Sequence, residues 1–445
     1  MHPTTPPPRV HWTIGDDRIA THVGARLLCD LADTLGLTQG LSDALAPLKQ
    51  RRRGHDRGQV LTHLAVAIAD GATRVTDIDV LGRQPAVFGA VASVATTWRT
   101  LEALNASAQD AVGRARAAAR RRAWAAGLDP GFYVVDIDGT LVTAHSEKEG
   151  AAPTYKRGFG FYPLLAFLDA TGEPLAGLLR PGNAGSGTAA DHKTVLDAAL
   201  AQLPVDPHAQ EVIVRADSAG CSHVFLDHCG TQGVRFIVGH PFPEDLAAQV
   251  IGARGIRWIP AITADGTAER DVGEVAEFTA RVDLTGWPPG SRVIVRREIP
   301  HPGAQLRFTD VHGYRYQVCL TNLDTPDIAF LEALYRGRGR CEQAIRDLKA
   351  TGLTHLPSAG FAFNQAWLTA VLLAGDLLAW TRGLLLTGAL RRATAPRLRY
   401  TLLHTAGRLV RSARRTTVRL PWTWPWAEAL RGAFARCARL AAAIP

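Results

Sequence analysis

The sequence lacks the patterns that mark secreted, disulfide-stabilised or membrane proteins. Its six cysteines are scattered and include no C-x-x-C pair, so we expect reduced thiols in a cytoplasmic protein. The N-terminus has no basic-then-apolar signal pattern. The most apolar stretch, 366–390, is interrupted by Asp376 and Arg382, which predicts buried helices and no membrane partner.

Lysine and acidic residues are scarce toward the C-terminus. Residues 351–445 contain 13 arginines, no lysine, and only Asp376 and Glu428 as acids. The whole chain has a net charge of +9 and a pI of about 9.6. Arginine forms forked contacts with phosphate, so this balance favours a nucleic-acid partner. A solvated arginine-rich surface is the alternative.

The N-terminal part of the chain is also basic and is predicted to be helical. Ala- and Leu-rich segments fill 20–128, and 59–72 predict an apolar helix with a glycine near its end. A second helix, predicted over 107–127, carries five arginines: Arg114, Arg116, Arg120, Arg121 and Arg122. With the KQRRR run at 49–53, they make 1–128 a candidate helical DNA-binding domain. Solvated helix faces are the alternative.

The predicted secondary structure changes near Gly131, where apolar strands and helices begin to alternate. Residues 129–239 predict three strands in a meander, then a helix, a strand, a second helix and a fifth strand. This is the element order of an RNase H-like α/β catalytic core. Residues 240–327 predict a β-rich insertion that interrupts the core. A core helix is predicted within 328–360, and 361–445 predict a helical, arginine-rich C-terminal region.

The first predicted strand ends in the motif DIDGT at 136–140. This motif matches the opening of haloacid-dehalogenase-like phosphatases, in which Asp136 would be the nucleophile and Asp138 the general acid. That family also needs a doubly wound domain and a pair of acids at a later strand end. Neither is evident, because Asp217 has no second acid beside it. The phosphatase is therefore the weaker interpretation. Asp136 and Asp138 point to the same face of the strand, so either could be the first acid of another site.

Acids at the ends of two strands and on one helix predict phosphoryl transfer on metal ions. Asp138 and Asp217 each end a strand. At about 100° per residue, one face of the helix predicted over 331–350 carries four polar residues: Tyr335, Arg338, Glu342 and Lys349. Two divalent cations about 4 Å apart can hold the attacking and leaving oxygens, and Mg²⁺ prefers carboxylate ligands. The two cationic side chains and the phenol of this face would contact DNA.

These four residues match, at every spacing, a Y-(2)-R-(3)-E-(6)-K signature. The sequence therefore resembles DDE transposases of bacterial insertion sequences, in the subgroup with a β-strand insertion between the second Asp and the Glu. The sequences around Asp138 and Asp217 resemble the first and second acid motifs of that family. The run at 145–167 resembles the segment after the first acid. The resemblance covers most of 20–440.

The resemblance implies a cut-and-paste DNA transposase. It would use Mg²⁺, for which Mn²⁺ can substitute, at Asp138, Asp217 and Glu342. It would cleave DNA at the inverted repeats of its element and join the 3′-hydroxyl to target DNA. The family pattern favours Asp138 as the metal ligand and leaves Asp136 as an assisting acid.

The resemblance also implies partners and a further site residue. In relatives with the insertion, the flanking strand is cut through a hairpin, and a tryptophan stacks on a flipped base. Trp287 and Trp258 are the candidates, and Trp287 is taken as the site residue. We expect a homodimer on paired DNA ends, at the nucleoid of a bacterial cytoplasm. The alternative functions are a catalytically decayed or domesticated DNA-binding protein and, less favoured, the phosphatase.

Overall fold

The computed structural model describes residues 18–49, 54–242, 244–301, 303–305, 310–412 and 415–443. A long mixed β-sheet runs through these residues, α13 packs against it, and the N-terminal helices pack on α13. Of the basic run predicted at 49–53, only Lys49 is described, and it is exposed. The mixed α/β class predicted from the sequence is confirmed.

The N-terminal region is helical, as predicted. After the short strand β1 (Ile19–Ala20), its helices are α1 (Arg26–Thr34), α2 (Leu37–Leu45), α3 (Arg57–Asp70), α4 (Asp79–Gly82), α5 (Pro85–Phe88), α6 (Val94–Glu102) and α7 (Ala106–Ala123). The Asp56 carboxylate caps α3 by accepting the Gln59 N–H at 2.8 Å. Gly71 ends the helix at a φ of 117°, a left-handed conformation that favours glycine.

The first half of the sheet has the strand order predicted for an RNase H-like core. Its elements are β2 (Tyr133–Gly139), β3 (Val142–Thr143), β4 (Ala152–Pro153), β5 (Phe159–Phe161), β6 (Leu164–Leu168), β7 (Pro174–Leu178), α8 (Ala189–Leu200), β8 (Val212–Ala216), α9 (His223–Thr231) and β9 (Arg235–Gly239). β2 pairs antiparallel with β6, and β6 pairs antiparallel with β7. β8 lies parallel to β2 and to β9. The carboxyl ends of β2 and β8 therefore meet at one edge of the sheet.

The strand-rich stretch after β9 continues the same sheet. Its elements are α10 (Glu244–Gly252), β10 (Ile259–Ile262), β11 (Glu269–Glu277), β12 (Arg292–Glu298), β13 (Asp310–Val311) and β14 (Tyr314–Thr321). β14 pairs antiparallel with β9, and the strand order is β10-β11-β12-β14-β9-β8-β2-β6-β7, with β13 beside β14. Residues 306–309, which precede β13, lie outside the described residues.

The C-terminal region is mainly helical, with a β-hairpin that the sequence analysis missed. Its elements are α11 (Ile328–Arg336), α12 (Gly339–Leu348), α13 (Phe361–Trp380), α14 (Ala395–Leu398), β15 (Gly407–Ser412), β16 (Arg415–Arg419) and α15 (Ala427–Ala443). β15 pairs with β16 and with β1 in a small sheet. Its strands read GRLVRS and RTTVR, and their Val and Thr residues favour strands but are easily overlooked in a segment so rich in arginine.

The apolar stretch predicted as buried helices forms α13 and the turn after it. The segment Phe361–Leu385 is long and apolar enough to cross a membrane, but 78% of its most apolar window is buried inside the protein. α13 packs against α3 and against β7. The segment is therefore a core helix of the folded chain.

Two of the five arginines on α7 are buried, which corrects their assignment to a DNA-binding face. Arg120 lies 2.9 Å from Glu173 and 2.6 Å from Asp376, and Arg116 lies 2.8 Å from Asp376. All four side chains are buried. Buried charges need such partners because their removal from water is costly. The network joins α7 to β7 and α13, so these two arginines hold the N-terminal helices to the core. The other three arginines of the helix are exposed.

Candidate active site

The two strand-end acids lie side by side at the carboxyl ends of β2 and β8. In the register of this parallel pair, Ile137 is opposite Ala216, so Asp138 and Asp217 are the next residues on neighbouring strands. The Asp217 carboxylate accepts the Ala219 N–H at 2.9 Å and caps a short 3₁₀ turn. The sheet backbone and this cap therefore position both acids.

Arg338 connects the first acid with the third. Its Nη1 donates to the Asp138 carboxylate at 3.0 Å, and its Nη2 lies 3.9 Å from Glu342 Oε1. Glu342 lies on α12 with 62% of its side chain exposed, whereas 14% of the Asp138 side chain is exposed. The structure thus brings the predicted first and third acids together at the sheet edge where Asp217 also lies.

The surroundings of Asp138 change its ionisation. Burial raises the pKa of Asp138 to about 6, with smaller upward contributions from Asp217 and Glu342 and an opposing one from Arg338. A carboxylate with two acids nearby lies in a cluster of negative charge. Such a cluster is stabilised by a divalent cation, and carboxylate oxygens are the ligands that Mg²⁺ prefers. These three residues have the donor chemistry of a divalent metal centre, and their binding of metal stays a prediction.

Asp136 lies beneath this cluster and is occupied by an ion pair. Its two oxygens accept hydrogen bonds from Arg215 Nε at 2.6 Å and Nη2 at 2.8 Å, at the opposite position of β8. Both side chains are buried, and Arg215 also lies 2.8 Å from Asp169. Burial raises the pKa of Asp136, and the hydrogen bonds from Arg215 oppose that rise. Both Asp136 oxygens accept hydrogen bonds from Arg215, which fits a structural role, and an assisting role at the metal stays a prediction.

Tyr335 lies behind the acids. A tight turn at Gly337 and Arg338 separates α11 from α12, so the four residues of the signature do not share one continuous helix. The Tyr335 ring is buried, and its hydroxyl lies so close to Gly239 that a Cβ there would be 2.4 Å away. Burial raises the pKa of Tyr335 to about 12. Its position supports the loop that carries Asp217, and a contact with DNA stays a prediction.

Lys349 lies at the end of α12, near a basic loop that the sequence analysis did not single out. Burial lowers the pKa of Lys349, and Lys156 lowers it further. Lys156 and Arg157 are exposed in the loop between β4 and β5. Cations that disfavour one another's charge are stabilised by a phosphate between them. The signal was present in the sequence as the TYKRG run at 154–158.

The structure distinguishes the two candidate tryptophans. The Trp287 ring stacks on His223, with 3.9 Å between the ring centroids. It lines an open pocket of about 490 Å³ together with Cys221, which follows the turn of the second acid. The Trp258 ring is instead covered by the Arg297 guanidinium at 4.1 Å. Trp287 therefore lines an open pocket whereas the Trp258 ring is covered, and base stacking by Trp287 stays a prediction.

A second basic surface lies on the β15–β16 hairpin, at some distance in sequence from the acids. The register places Arg408 directly across from Arg419, with Arg415 on the same face. All three are exposed, and none forms an ion pair within the described part of the chain. Like charges directly opposite one another destabilise a hairpin, so this face is suited to a polyanion.

A mixed RNase H-like sheet with acids at two strand ends and on a following helix defines an enzyme of the DDE class. A family model described as transposase DDE domain group 1 matches residues 7–442, and the chain belongs to this family. It is therefore a DNA transposase, from a class with polynucleotidyl-transferase and nuclease chemistry that generally uses divalent metal ions. The predicted resemblance to DDE transposases is confirmed, and the bacterial insertion-sequence subgroup stays a prediction.

One solved structure similar to this chain is the cryo-EM structure of the piggyBac transposase synaptic complex with hairpin DNA. The two chains are 9% identical, and the match covers 85% of this chain and 80% of the other, with a TM-score of 0.41. A likeness this distant carries no information on the roles of individual residues. No curated protein matches the chain.

Proposed function

We propose that this transposase moves DNA by a cut-and-paste reaction. It would cleave the strands at the ends of its element and then join the freed 3′-hydroxyl groups to target DNA. The observation that carries the proposal is the convergence of Asp138, Asp217 and Glu342 around Arg338 at one edge of the sheet.

The same acids would hold Mg²⁺, for which Mn²⁺ is expected to substitute. Two such ions, when bound, supply Lewis-acid stabilisation of the attacking and leaving oxygens. The contribution of the protein is to keep the ligands in place. Asp138 and Asp217 are held by adjacent strand ends, and Glu342 is carried by α12 one helical turn after Arg338.

The basic groups around the acids give a path for the DNA backbone. Lys349, Lys156 and Arg157 form a cationic patch at the end of α12 that would bind phosphates of the cleaved strand. The exposed arginines of the β15–β16 hairpin would bind phosphates of the duplex elsewhere. Contacts of this kind position DNA without reading its sequence.

We further propose a hairpin intermediate and a dimeric complex. A strand that folds back on itself at the element end must release a base from the stack. Trp287 lines an open pocket that begins at Cys221, just after the turn of the second acid, and its ring stacks on His223. Each chain has one cluster of acids among its described residues, so a complex that holds both element ends would use two copies.

The test is a cleavage assay on a labelled duplex that carries the inverted repeats flanking the gene. The native protein is compared with Glu342→Gln in Mg²⁺ or Mn²⁺. Because the Glu342 side chain is mostly exposed, this change should remove a metal ligand without disturbing the fold. Glu428→Gln, at a 79% exposed side chain on α15, is the matched control.

We expect nicks at the repeat tips that require metal, persist in Glu428→Gln and disappear in Glu342→Gln. A hairpin product would support the proposed intermediate. Tight specific binding with no cleavage in either metal would contradict the proposal and favour a decayed DNA-binding protein.

A further inference from the structure

A second group of metal-ligating side chains lies away from the acids, where the two ends of the chain meet. His22 follows β1, Asp70 is the last residue of α3, and His404 precedes β15. One ligand atom from each of the three lies within 4.8 Å of the other two. We propose that His22, Asp70 and His404 form a binding site for Zn²⁺, separate from the catalytic acids.

The distances within this group are close to those of a metal site. His22 Nδ1 lies 2.5 Å from Asp70 Oδ2, and His404 Nε2 lies 3.4 Å from Asp70 Oδ1. A tetrahedral Zn²⁺ with bonds of about 2.1 Å keeps its ligand atoms about 3.3 Å apart. One contact already has this spacing, and the other must lengthen by less than about 1 Å. The metal would replace the hydrogen bonds that the two rings donate to Asp70.

Asp70 has an oxygen that hydrogen bonding leaves unused. The residue is 6% exposed, and its Oδ1 accepts no hydrogen bond from the described residues. His404 Nε2 donates instead to the Asp70 backbone carbonyl at 2.8 Å. A buried carboxylate oxygen without a donor costs free energy, and a bound cation would remove that cost.

The backbone at His22 is also strained in a way that favours this arrangement. His22 has a φ of 55°, in the left-handed region that residues other than glycine rarely adopt. Such strain persists only where the surrounding structure holds it, and it concentrates at functional sites. Here it directs the imidazole toward Asp70, 48 residues further along the chain.

The surrounding pocket has room for a metal and favours one that binds nitrogen. The three residues line an open pocket of about 380 Å³, which leaves space for a water as the fourth ligand. Arg399 lines the same pocket and donates to the Ala69 carbonyl at 2.8 Å. Two imidazoles and one carboxylate form a ligand set that suits Zn²⁺, whereas Mg²⁺ and Ca²⁺ prefer oxygen ligands.

A metal here would connect the N-terminal segment and the C-terminal region through α3. β1, which precedes His22, pairs with β15 of the basic hairpin. The site would therefore hold this hairpin against the helical core. A use of that rigidity in DNA binding rests on the proposed function, but the metal site itself does not.

The test measures Zn²⁺ binding in a full-length Asp138→Asn, Asp217→Asn protein, in which two of the three catalytic acids no longer compete for metal. After chelator treatment, calorimetric titration should give one Zn²⁺ per chain. His404→Gln should weaken binding by at least ~10-fold, since loss of even an outer partner of a metal ligand has that effect. His228→Gln is the matched control, because His228 lies 2.6 Å from Asp197 in another His–Asp pair.

A Co²⁺ titration provides a second readout. Tetrahedral Co²⁺ has visible absorption bands that should appear in the parent protein and be lost in His22→Gln and His404→Gln. Absence of binding, or equal affinity in the parent and His404→Gln, would overturn the proposal. His404 is exposed, so His404→Gln should fold. It therefore tests the proposal even if His22→Gln fails to fold. Neither readout involves DNA, so a negative result here leaves the transposition proposal standing.

Discussion

Two aspartates of one strand are expected to respond to the same substitution in opposite directions. Asp136 and Asp138 are two residues apart on β2 and point to the same face of the sheet. Asp136→Asn should lower the free energy of unfolding and leave DNA cleavage intact. Asp138→Asn should raise the free energy of unfolding of the metal-free protein and abolish cleavage.

The cost of Asp136→Asn follows from its partner. Arg215 is fully buried, and both oxygens of the Asp136 carboxylate accept its hydrogen bonds. Asparagine offers only one such oxygen and no negative charge. Breaking a buried ion pair typically costs roughly 3–5 kcal/mol, because the remaining charge is not compensated. Arg215 keeps an ion pair with Asp169 at 2.8 Å, so we expect a loss near the lower end, about 3 kcal/mol.

The gain from Asp138→Asn follows from the rise of its pKa. A pKa raised from 3.8 to about 6 corresponds to about 3 kcal/mol against the ionised carboxylate at neutral pH. Arg338 is 24% exposed and can turn to water or to Glu342, so we expect a net gain of about 1–3 kcal/mol. Because the folded pKa lies above the unfolded one, the penalty is complete above pH 6 and fades as the pH falls toward 4. The gain should therefore be about half as large at pH 5.

The assay is urea unfolding in a metal chelator at about pH 7.5 and at pH 5, combined with a cleavage assay in Mg²⁺. Asp227→Asn, an exposed acid on α9, is the control and should change stability by less than about 0.5 kcal/mol. The reasoning is refuted if the two Asn variants shift the unfolding midpoint in the same direction. It is also refuted if folded Asp136→Asn fails to cleave DNA.

Three further predictions follow from other parts of the structure. Asp376→Asn should lower the free energy of unfolding by roughly 3–5 kcal/mol in urea, because buried Arg116 loses its acidic partner and buried Arg120 keeps only Glu173. Arg121→Ala, on the exposed side of α7, should change it by about 0.5 kcal/mol or less. Lys349→Ala and Arg419→Ala should each reduce the slope of log affinity against log salt by about 1 in DNA-binding titrations, and an unchanged slope would exclude a phosphate contact. Trp287→Ala should slow hairpin formation more than first-strand nicking in gel assays, Trp287→Phe should restore part of the rate, and equal effects on both steps would argue against base stacking.

The strand order and the positions of the acids could be predicted from the sequence because their signals are local. β2 and β8 are apolar runs that each end in an acid, and parallel neighbours bring their carboxyl ends to one edge. The distinction between Asp136 and Asp138 could not be made in the same way. It depends on Arg215, which lies 79 residues from Asp136 in sequence and becomes its neighbour only when β2 and β8 pair.

The arginines of α7 show a similar limit. Arg116 and Arg120 are one helical turn apart, on the face that also carries the buried residues Val112 and Ala119. This spacing predicts burial, but an arginine is placed in a core only when its counter-charges are known. The acid shared by both arginines, Asp376, lies 256 residues beyond Arg120 and interrupts an apolar helix. Non-local ion pairs of this kind leave almost no trace in a single sequence.

The close approach of α12 to the sheet explains why Arg338 and Glu342 follow a glycine. A Cβ at Gly337 would lie 2.6 Å from Arg215 Nη1, so a side chain there would push the helix away from the Asp136–Arg215 pair. With glycine, Arg338 reaches Asp138, and Glu342 follows one turn later beside the same guanidinium. Arg338 thus supplies positive charge among acids that repel one another in the metal-free protein. The buried Asp136–Arg215 pair and the position of Arg338 beside Asp138 therefore both depend on this close approach of α12 to the sheet.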